Sequence, residues 1–375
     1  MGIYLDNAST TYMYKEVLDA MGPYLSGGFY NPSAGYSVSR KVRNVINNCR
    51  EEIAALIGAK PDEIYFTSGG TESDNWACNE AIRRKCHIIS TQIEHKAILN
   101  PLAAYGMSGG KVTLVPVNEY GEVSPEVIRN CIKPGTGMIS VMTANNEIGT
   151  IEPIEKIGHI AKEYGVMFHS DGVQAFGHIP INVDKYNLDM LSVSSHKFHG
   201  PKGVGFLYVR KDVDIASFIR GGGQEFNKRS GTENVPGIVG MTKAAIISSR
   251  NLDRSMPYLM GIRDYIISRL SERMPGIKIN GAVKNRLPNN INFSIKGVDG
   301  QSMLALLDLE GIYASAGSAC NTNKNGYSHV LKAIGLEDKS IAGTIRLSLD
   351  ESITRAKADY VIEAIIRISK KIKEN

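Results

Sequence analysis

The sequence predicts an α/β protein in which a mostly parallel, helix-covered sheet is followed by a smaller α+β part. Short apolar runs alternate with helical patterns through the first two-thirds of the 375 residues. These runs are apolar at successive positions, as in strands buried on both faces, where a sheet with one wet face would alternate. After Gly240 the alternation stops and a long helical region begins. A hydrophobic fraction of 42% with 22% charged residues fits an ordinary globular chain of two or three domains or one large unit.

In chain order, Glu63–Thr67, Cys86–Ser90, Thr113–Val117, Met138–Thr143, Val166–His169, Met190–Val193 and Val204–Val209 read as buried strands. Ahead of them, Arg40–Ile57 places apolar side chains at 42, 45, 46, 53, 56 and 57, one face of a helix at roughly 3.6-residue spacing. Pro153–Tyr164 is a second helix, with proline at its start and Gly165 just past its end, the usual boundary residues. The helical region after Gly240 runs to about Met274. Strand Asn290–Ile295, helix Gly300–Glu310, strand Thr344–Leu349 and a closing helix from Ser352 complete the chain. The boundary between the two parts falls within the long helix.

Charge and cysteine usage narrow the function classes. Lys and Arg number 43 against 38 Asp and Glu, a net +5. That surplus is dispersed apart from the terminal KKIK, so a nucleic-acid partner has no focused basic surface. No run of about 18 apolar residues occurs, so no membrane-spanning helix is expected. The opening MGIYLDNAST lacks the basic flank and apolar core of a secretory signal. Cys49, Cys78, Cys86, Cys131 and Cys320 are odd in number and never spaced C-x-x-C, which excludes a disulfide scaffold or zinc ribbon and points to a reducing cytoplasm.

Ligands of open α/β sheets bind beyond the carboxyl ends of strands; four polar segments and one arginine inside a strand carry candidate chemistry. Thr67–Ser73 (TSGGTES) sits between a strand and a helix, where small residues and exposed N–H groups make a phosphate cup. Its plainer reading is a turn with Thr71 as N-cap, and no Gly-Lys-Ser/Thr follows to make a nucleotide P-loop. Asp171, just past a strand in HSDGVQ, can hold a protonated ring nitrogen or simply cap a helix. Lys197, among small and polar residues in SSHKFHGPKG, can form a Schiff base or be a surface lysine. His196 and His199 stand three apart but lack a third ligand for a metal. Cys320 lies in a long polar loop of tiny residues, Asn and Gly, where a thiol is poorly buried and its reactivity is the better reading. Arg346, inside TIRLSL, needs an anionic partner if it points inward, and a substrate carboxylate would serve.

A phosphate cup, a Schiff-base lysine, a carboxylate for a pyridinium nitrogen and an arginine for a carboxylate together describe pyridoxal 5'-phosphate acting on an amino acid. A reactive thiol narrows this to sulfur transfer. At this point the sequence resembles the NifS/IscS-type cysteine desulfurases, class V members of the fold-type I pyridoxal phosphate enzymes. The resemblance runs from Tyr4–Thr10 to the strand holding Arg346. It rests on TSGGTESDN, IEHKAIL, NNEIGT, DGVQAFG, SSHKFHGPKGVG, GGGQEFNKRSGTENV and SAGSAC, in that order.

The resemblance implies a large cofactor-binding domain over 13–255. It also implies a small α+β domain formed by 1–12 and 256–375, which carries the cysteine loop. It implies that Lys197 bears the cofactor and later moves the Cα proton. His95 stacks on the pyridine ring and acts as acid/base near the thiol. Asp171 holds the ring nitrogen and Gln174 the ring oxygen. Gly70, Thr71, Ser194 and His196 bind the phosphate, and Thr232 reaches the phosphate of a neighbouring subunit in a homodimer. Asn146 and Arg346 orient the substrate carboxylate. Cys320 attacks the sulfur of L-cysteine, leaving alanine and a persulfide that passes to a protein acceptor. An iron–sulfur scaffold or a tRNA-thiolation protein is the expected acceptor.

The chain departs from the family after Cys320 (NTNKNGY) and at Phe226-Asn227, where Arg-Gly is usual. The longer C-terminal tail of some members is also expected to be missing. These departures keep a selenocysteine lyase, a C–S lyase or an aminotransferase of the same fold as alternatives.

Overall fold

The computed structural model describes residues 2–316 and 327–374. Its largest sheet has seven strands: β1 Ile64–Thr67, β2 His87–Thr91, β3 Val112–Val115, β4 Thr136–Ser140, β5 Met167–Asp171, β6 Met190–Ser194 and β7 Gly205–Val209. Their order is β1-β7-β6-β5-β4-β2-β3. Only β7 runs against the others, pairing antiparallel with both β1 and β6, so the sheet is mixed and mostly parallel. All seven expected strands are present, with no end shifted by more than three residues. The third stops at Val115 because Pro116 has no N–H to donate to the ladder. The fourth begins at Thr136 and ends at Ser140, where the chain turns into the site.

Helices cover the sheet. Ser37–Ile57 buries Val42, Ile46, Ile53, Ala54 and Ile57 along one face, and Gly58 ends it in the left-handed region at φ +74°. The long helix spans Val235–Arg273, starting five residues before Gly240, because the Asn234 side chain accepts from the Gly237 N–H at 3.1 Å. Its first half, with Val235, Ile238, Met241 and Ala244, packs into the core beneath the large sheet. Its second half, with Leu259, Ile262, Ile266 and Leu270, packs into another core with Phe293, Ile345, Leu347 and Ile365.

That second core lies against a four-stranded antiparallel sheet ordered Ser315–Ala316, Thr344–Ser348, Asn290–Ile295, Ile277–Ile279. Two of its strands are those expected; the two short outer ones carry too few residues to show a period. Ile3–Tyr4 pairs parallel with Ile312–Tyr313, and Asp6 bridges to Ser348. The start of the chain therefore belongs to this C-terminal structure by pairing. The strands β1, β2, β4, β5 and β6 all end on one edge of the large sheet, and Asp6–Thr11 lies across that edge.

The helix Ile154–Glu163 shows how closely the layers approach. A Cβ built on Gly158 would lie 1.8 Å from the carbonyl oxygen of Tyr186. Alanine normally stabilises a helix interior over glycine. Here Gly158→Ala is expected to destabilise by about 1–3 kcal/mol through overpacking. A thermal unfolding midpoint equal to or above wild type would contradict this packing.

Candidate active site

Five turns at that edge, with Arg346 from the strand Thr344–Ser348, supply the side chains of one cleft of about 240 Å³. Gly70, Thr71, His95, Asn146, Asp171, Gln174, Ser194, His196, Lys197 and Arg346 all line it. Thr232 does not; it is exposed elsewhere on the surface. Cys320 lies outside the described residues.

The turn after β1 leads into the helix Gly70–Arg83, whose first-turn N–H groups have no helical acceptor. Gly69 takes φ +147°, ψ −175°, a region open essentially to glycine. A Cβ on Gly70 would come within 2.6 Å of Val173 Cγ2, so glycine at 70 lets this turn meet the one after β5. Glu72 fixes the turn by accepting from the Ser68 N–H at 2.8 Å while pairing with Arg229 at 2.7 Å. Ser194, at the end of β6, and His196 stand opposite. The His196 Nδ1 lies 3.2 Å from Thr10 Oγ1. Burial, with Lys197 and Lys202 adding to it, lowers His196 to about 4, so it is neutral near pH 7. The result is a concave, donor-rich cup suited to a phosphate.

Lys197 ends the short turn Ser195–Lys197 that follows β6. Its Nζ donates to the carbonyl oxygens of Ala8 and Ser9, both at 2.7 Å. Asp171 ends β5 and is 5% exposed. The Val173 N–H donates to its Oδ1 at 2.9 Å. Burial raises the Asp171 carboxyl, while His95 and Lys197 oppose that shift. A cation brought opposite Asp171 would offset the same burial penalty and favour the carboxylate. Gln174 Nε2 donates to the Ala8 carbonyl at 2.9 Å, which leaves its own carbonyl oxygen to serve as an acceptor.

His95 is the N-cap of Lys96–Met107. Its Nδ1 accepts from the Ala97 N–H at 3.2 Å, so the neutral ring carries its proton on Nε2. Burial lowers its pKa. Asn145 shapes the turn beyond β4: its Oδ1 accepts from the N–H groups of Glu147 and Ile148 at 2.8 and 3.0 Å. That turn presents the Asn146 carbonyl to Arg346 Nη1 at 2.9 Å. Arg346 does point inward, and its anionic partner is Asp6: Nη2 donates to Asp6 Oδ1 at 2.7 Å and to Ser9 Oγ at 2.8 Å. Its buried Nε has no acceptor among the described residues.

Sequence reasoning missed three contributors. Ala8 and Ser9 act through backbone carbonyls, which no side-chain pattern can announce. Asp74 also lines the cleft, fully buried, with Oδ1 lacking a donor and lying 3.7 Å from His169 Nε2. Burial and the neighbouring Asp171 raise its carboxyl well above the usual range. Its position one helical turn after Gly70 and Thr71 was the available signal. His169, the Cα neighbour two before Asp171, is held between the hydroxyls of Ser140 and Ser192 at 2.9 Å each. Burial lowers it to about 3.

Glu94, just before His95, is also completely buried. Its Oε1 accepts from Thr91 Oγ1 at 2.7 Å and Met142 N–H at 3.0 Å, while Oε2 has no partner. Burial, only partly opposed by these bonds, raises it from 4.5 to about 8. A raised carboxyl contributes most below its unfolded pKa, and that contribution is lost as pH rises through the folded value. Glu94→Gln keeps the accepting oxygen and cannot ionise. Relative to wild type its stability is expected to increase steadily from about pH 4.5 to about pH 8. Paired thermal unfolding curves across that window check it, and a difference that does not change with pH would contradict it.

With this geometry in place, comparison with known proteins places the chain. The family model described as aminotransferase class-V matches residues 3–361. A protein from Methanosarcina thermophila named cysteine desulfurase IscS is 47% identical over 99% of this chain and 93% of its own length. One of the same name from Clostridium botulinum strain Hall is 45% identical over 99% and 95%. A solved structure titled NifS-like protein superposes with a TM-score of 0.93 at 37% identity, covering 99% of this chain and 100% of its own. Another, titled SspA in complex with cysteine, gives 0.83 at 36% identity over 93% and 99%. The chain belongs to the aminotransferase class-V family.

Proposed function

We propose that this protein is a pyridoxal phosphate-dependent cysteine desulfurase. It converts L-cysteine to L-alanine and passes the sulfur to Cys320 as a persulfide, then to a protein acceptor. The single observation that carries this is the convergence of the Lys197 amine, the buried Asp171 carboxylate, the Gly70 cup and Arg346 on one cleft. The names of the similar proteins point the same way.

The residues fit the cofactor. The N–H groups opening Gly70–Arg83, with Thr71, Ser194 and His196, would hold the phosphate. Asp171 would hold the ring nitrogen, Gln174 the ring oxygen, and the Lys197 amine would be the group that joins the aldehyde carbon. Bound there, the cofactor supplies an electron sink for the pair left when the substrate Cα proton departs. Lys197 moves that proton. His95 would stack on the ring; neutral, with its proton on Nε2, it can give that proton near the sulfur and take it back. Asn146 and Arg346 orient the substrate carboxylate. Cys320 reacts as a thiolate, the nucleophilic form. A bond forms between its Sγ and the substrate sulfur, the substrate C–S bond breaks, and the carbon takes up a proton to give alanine.

The same reading includes a homodimer in which exposed Thr232 reaches the neighbouring phosphate, and a cytoplasmic location. Among the described residues no helix is long and apolar enough to cross a membrane. It also includes a large domain at 13–255 and a small one at 1–12 and 256–375. The two cores sharing the long helix support that division.

Incubating wild type with L-cysteine and a reductant is expected to yield alanine and sulfide in equal amounts. Cys320→Ser should retain the cofactor absorbance but lose persulfide and sulfide production by on the order of a hundredfold or more. Sulfide release at the wild-type rate from Cys320→Ser would overturn the reading. Net amino transfer to a keto acid would favour the aminotransferase alternative.

A further inference from the structure

The chain on either side of residues 317–326, which include Cys320, is attached directly to the cleft. Before it, Ser315 and Ala316 pair antiparallel with Arg346 and Ile345. After it, two side chains fasten the chain to two turns of the site. Ser328 Oγ donates to Glu147 Oε2, and Ser328 Oγ also accepts from the Leu331 N–H at 3.1 Å, capping the helix His329–Ala333. His329 Nε2 donates to the carbonyl oxygen of Glu94 at 2.9 Å. Glu147 follows Asn146 and Glu94 precedes His95, so each fastening falls one residue from a group of the cleft. Val330, Leu331 and Ile334 then pack on Ile93, Met142 and Ile148.

We propose that Glu147 is a positioning residue for the sulfur step: through Ser328 it fixes the chain that follows Cys320 to the turn that supplies Asn146. This rests on the proposed desulfurase function and adds a residue to it. Glu147 does not belong to the cleft lining; it reaches the site through its bond to Ser328 and through the charge of Arg346. Burial works against the charge on Glu147. The Ser328 hydroxyl offsets that cost first, and Arg346 and Lys96 add to it. Burial raises Glu147 to about 7, so the attachment rests on geometry: it is a second bond beyond the capping bond, and losing it leaves a buried polar atom unpaired. The Ser328 bond touches no side chain assigned to the cofactor or the substrate carboxylate, and it fixes where the chain continues after the segment that includes Cys320.

The test separates these two steps in the holoenzyme. The change in cofactor absorbance on adding L-cysteine reports substrate engagement, and mass analysis of Cys320 after a single turnover reports persulfide formation. Ser328→Ala and Ser328→Asp should each slow persulfide formation about tenfold, with half-saturation of the absorbance change essentially unmoved. Ser328→Thr, which keeps the hydroxyl, should restore the wild-type rate, and Glu147→Gln should slow it. Aspartate is a good helix N-cap but, compared well above pH 7, where the raised Glu147 carboxyl is ionised, it faces Glu147 with like charge. A Ser328→Asp enzyme as fast as wild type would therefore reduce Ser328 to a cap and overturn the proposal. Equal losses in both readouts would overturn it too. If Ser328→Asp fails to load cofactor, the Ala, Thr and Glu147→Gln variants decide on the same criteria. Wild type that forms no persulfide would instead overturn the desulfurase reading itself, and this proposal with it.

Discussion

The cleft depends on six residues of backbone, Asp6–Thr11, held from both sides. Lys197, Gln174 and Arg346 come from three distant parts of the chain, and all three bond to this stretch. The stretch is itself pinned to the C-terminal sheet, where Asn7 Nδ2 donates to the Ser348 carbonyl and the Ala8 N–H donates to Ser348 Oγ, both at 2.9 Å. On the other side the Thr11 N–H donates to the His196 carbonyl at 2.9 Å. One short segment thus sets the distance between the large sheet and Arg346. Because its contacts are made mainly by carbonyl oxygens, they fix the direction of the Lys197 amine whatever side chains stand at positions 8 and 9.

Electrostatics in the cleft are governed by scarcity of water. Asp74, Asp171 and Glu94 are three buried carboxyls within one region, and each is raised by burial first. They cannot all be ionised without a compensating cation. Asp171 differs from the other two in facing His95 and Lys197, whose effect favours its charge. Asp74 and Glu94 each keep one oxygen without a donor, the arrangement expected of carboxyls that hold a proton. Of the three, Asp171 is the one whose neighbours favour the charged form, which supports its proposed role of meeting a protonated ring nitrogen.

Much of this was legible in the sequence. Successive apolar positions in short runs identified every strand of the large sheet, because burial on both faces leaves no other pattern. The polar segments beyond those strands held seven cleft residues, since strand ends are where backbone leaves the ladder and side chains converge; Arg346 stood out inside a strand, and His95 and Asn146 came only from the family resemblance. What escaped was non-local or backbone-borne. Nothing in LDNAST shows that its carbonyls meet Lys197. The strands Ile3–Tyr4 and Ile277–Ile279 are too short to carry a period. The consecutive left-handed residues Glu225, Phe226 and Asn227, with φ of 46°, 56° and 64°, follow from a distant partner. Arg50 grips both oxygens of Glu225 at 2.8 Å and lies against the Phe226 ring, so position 226 departs from the family pattern without losing that support.

The central claim is that the Lys197 amine, aimed by two carbonyls, is the point at which the cofactor joins the chain. Borohydride reduction of fully loaded protein followed by peptide mapping tests it most directly. The account predicts a pyridoxyl group on residue 197. An unmodified Lys197, with the label elsewhere or absent, would contradict it.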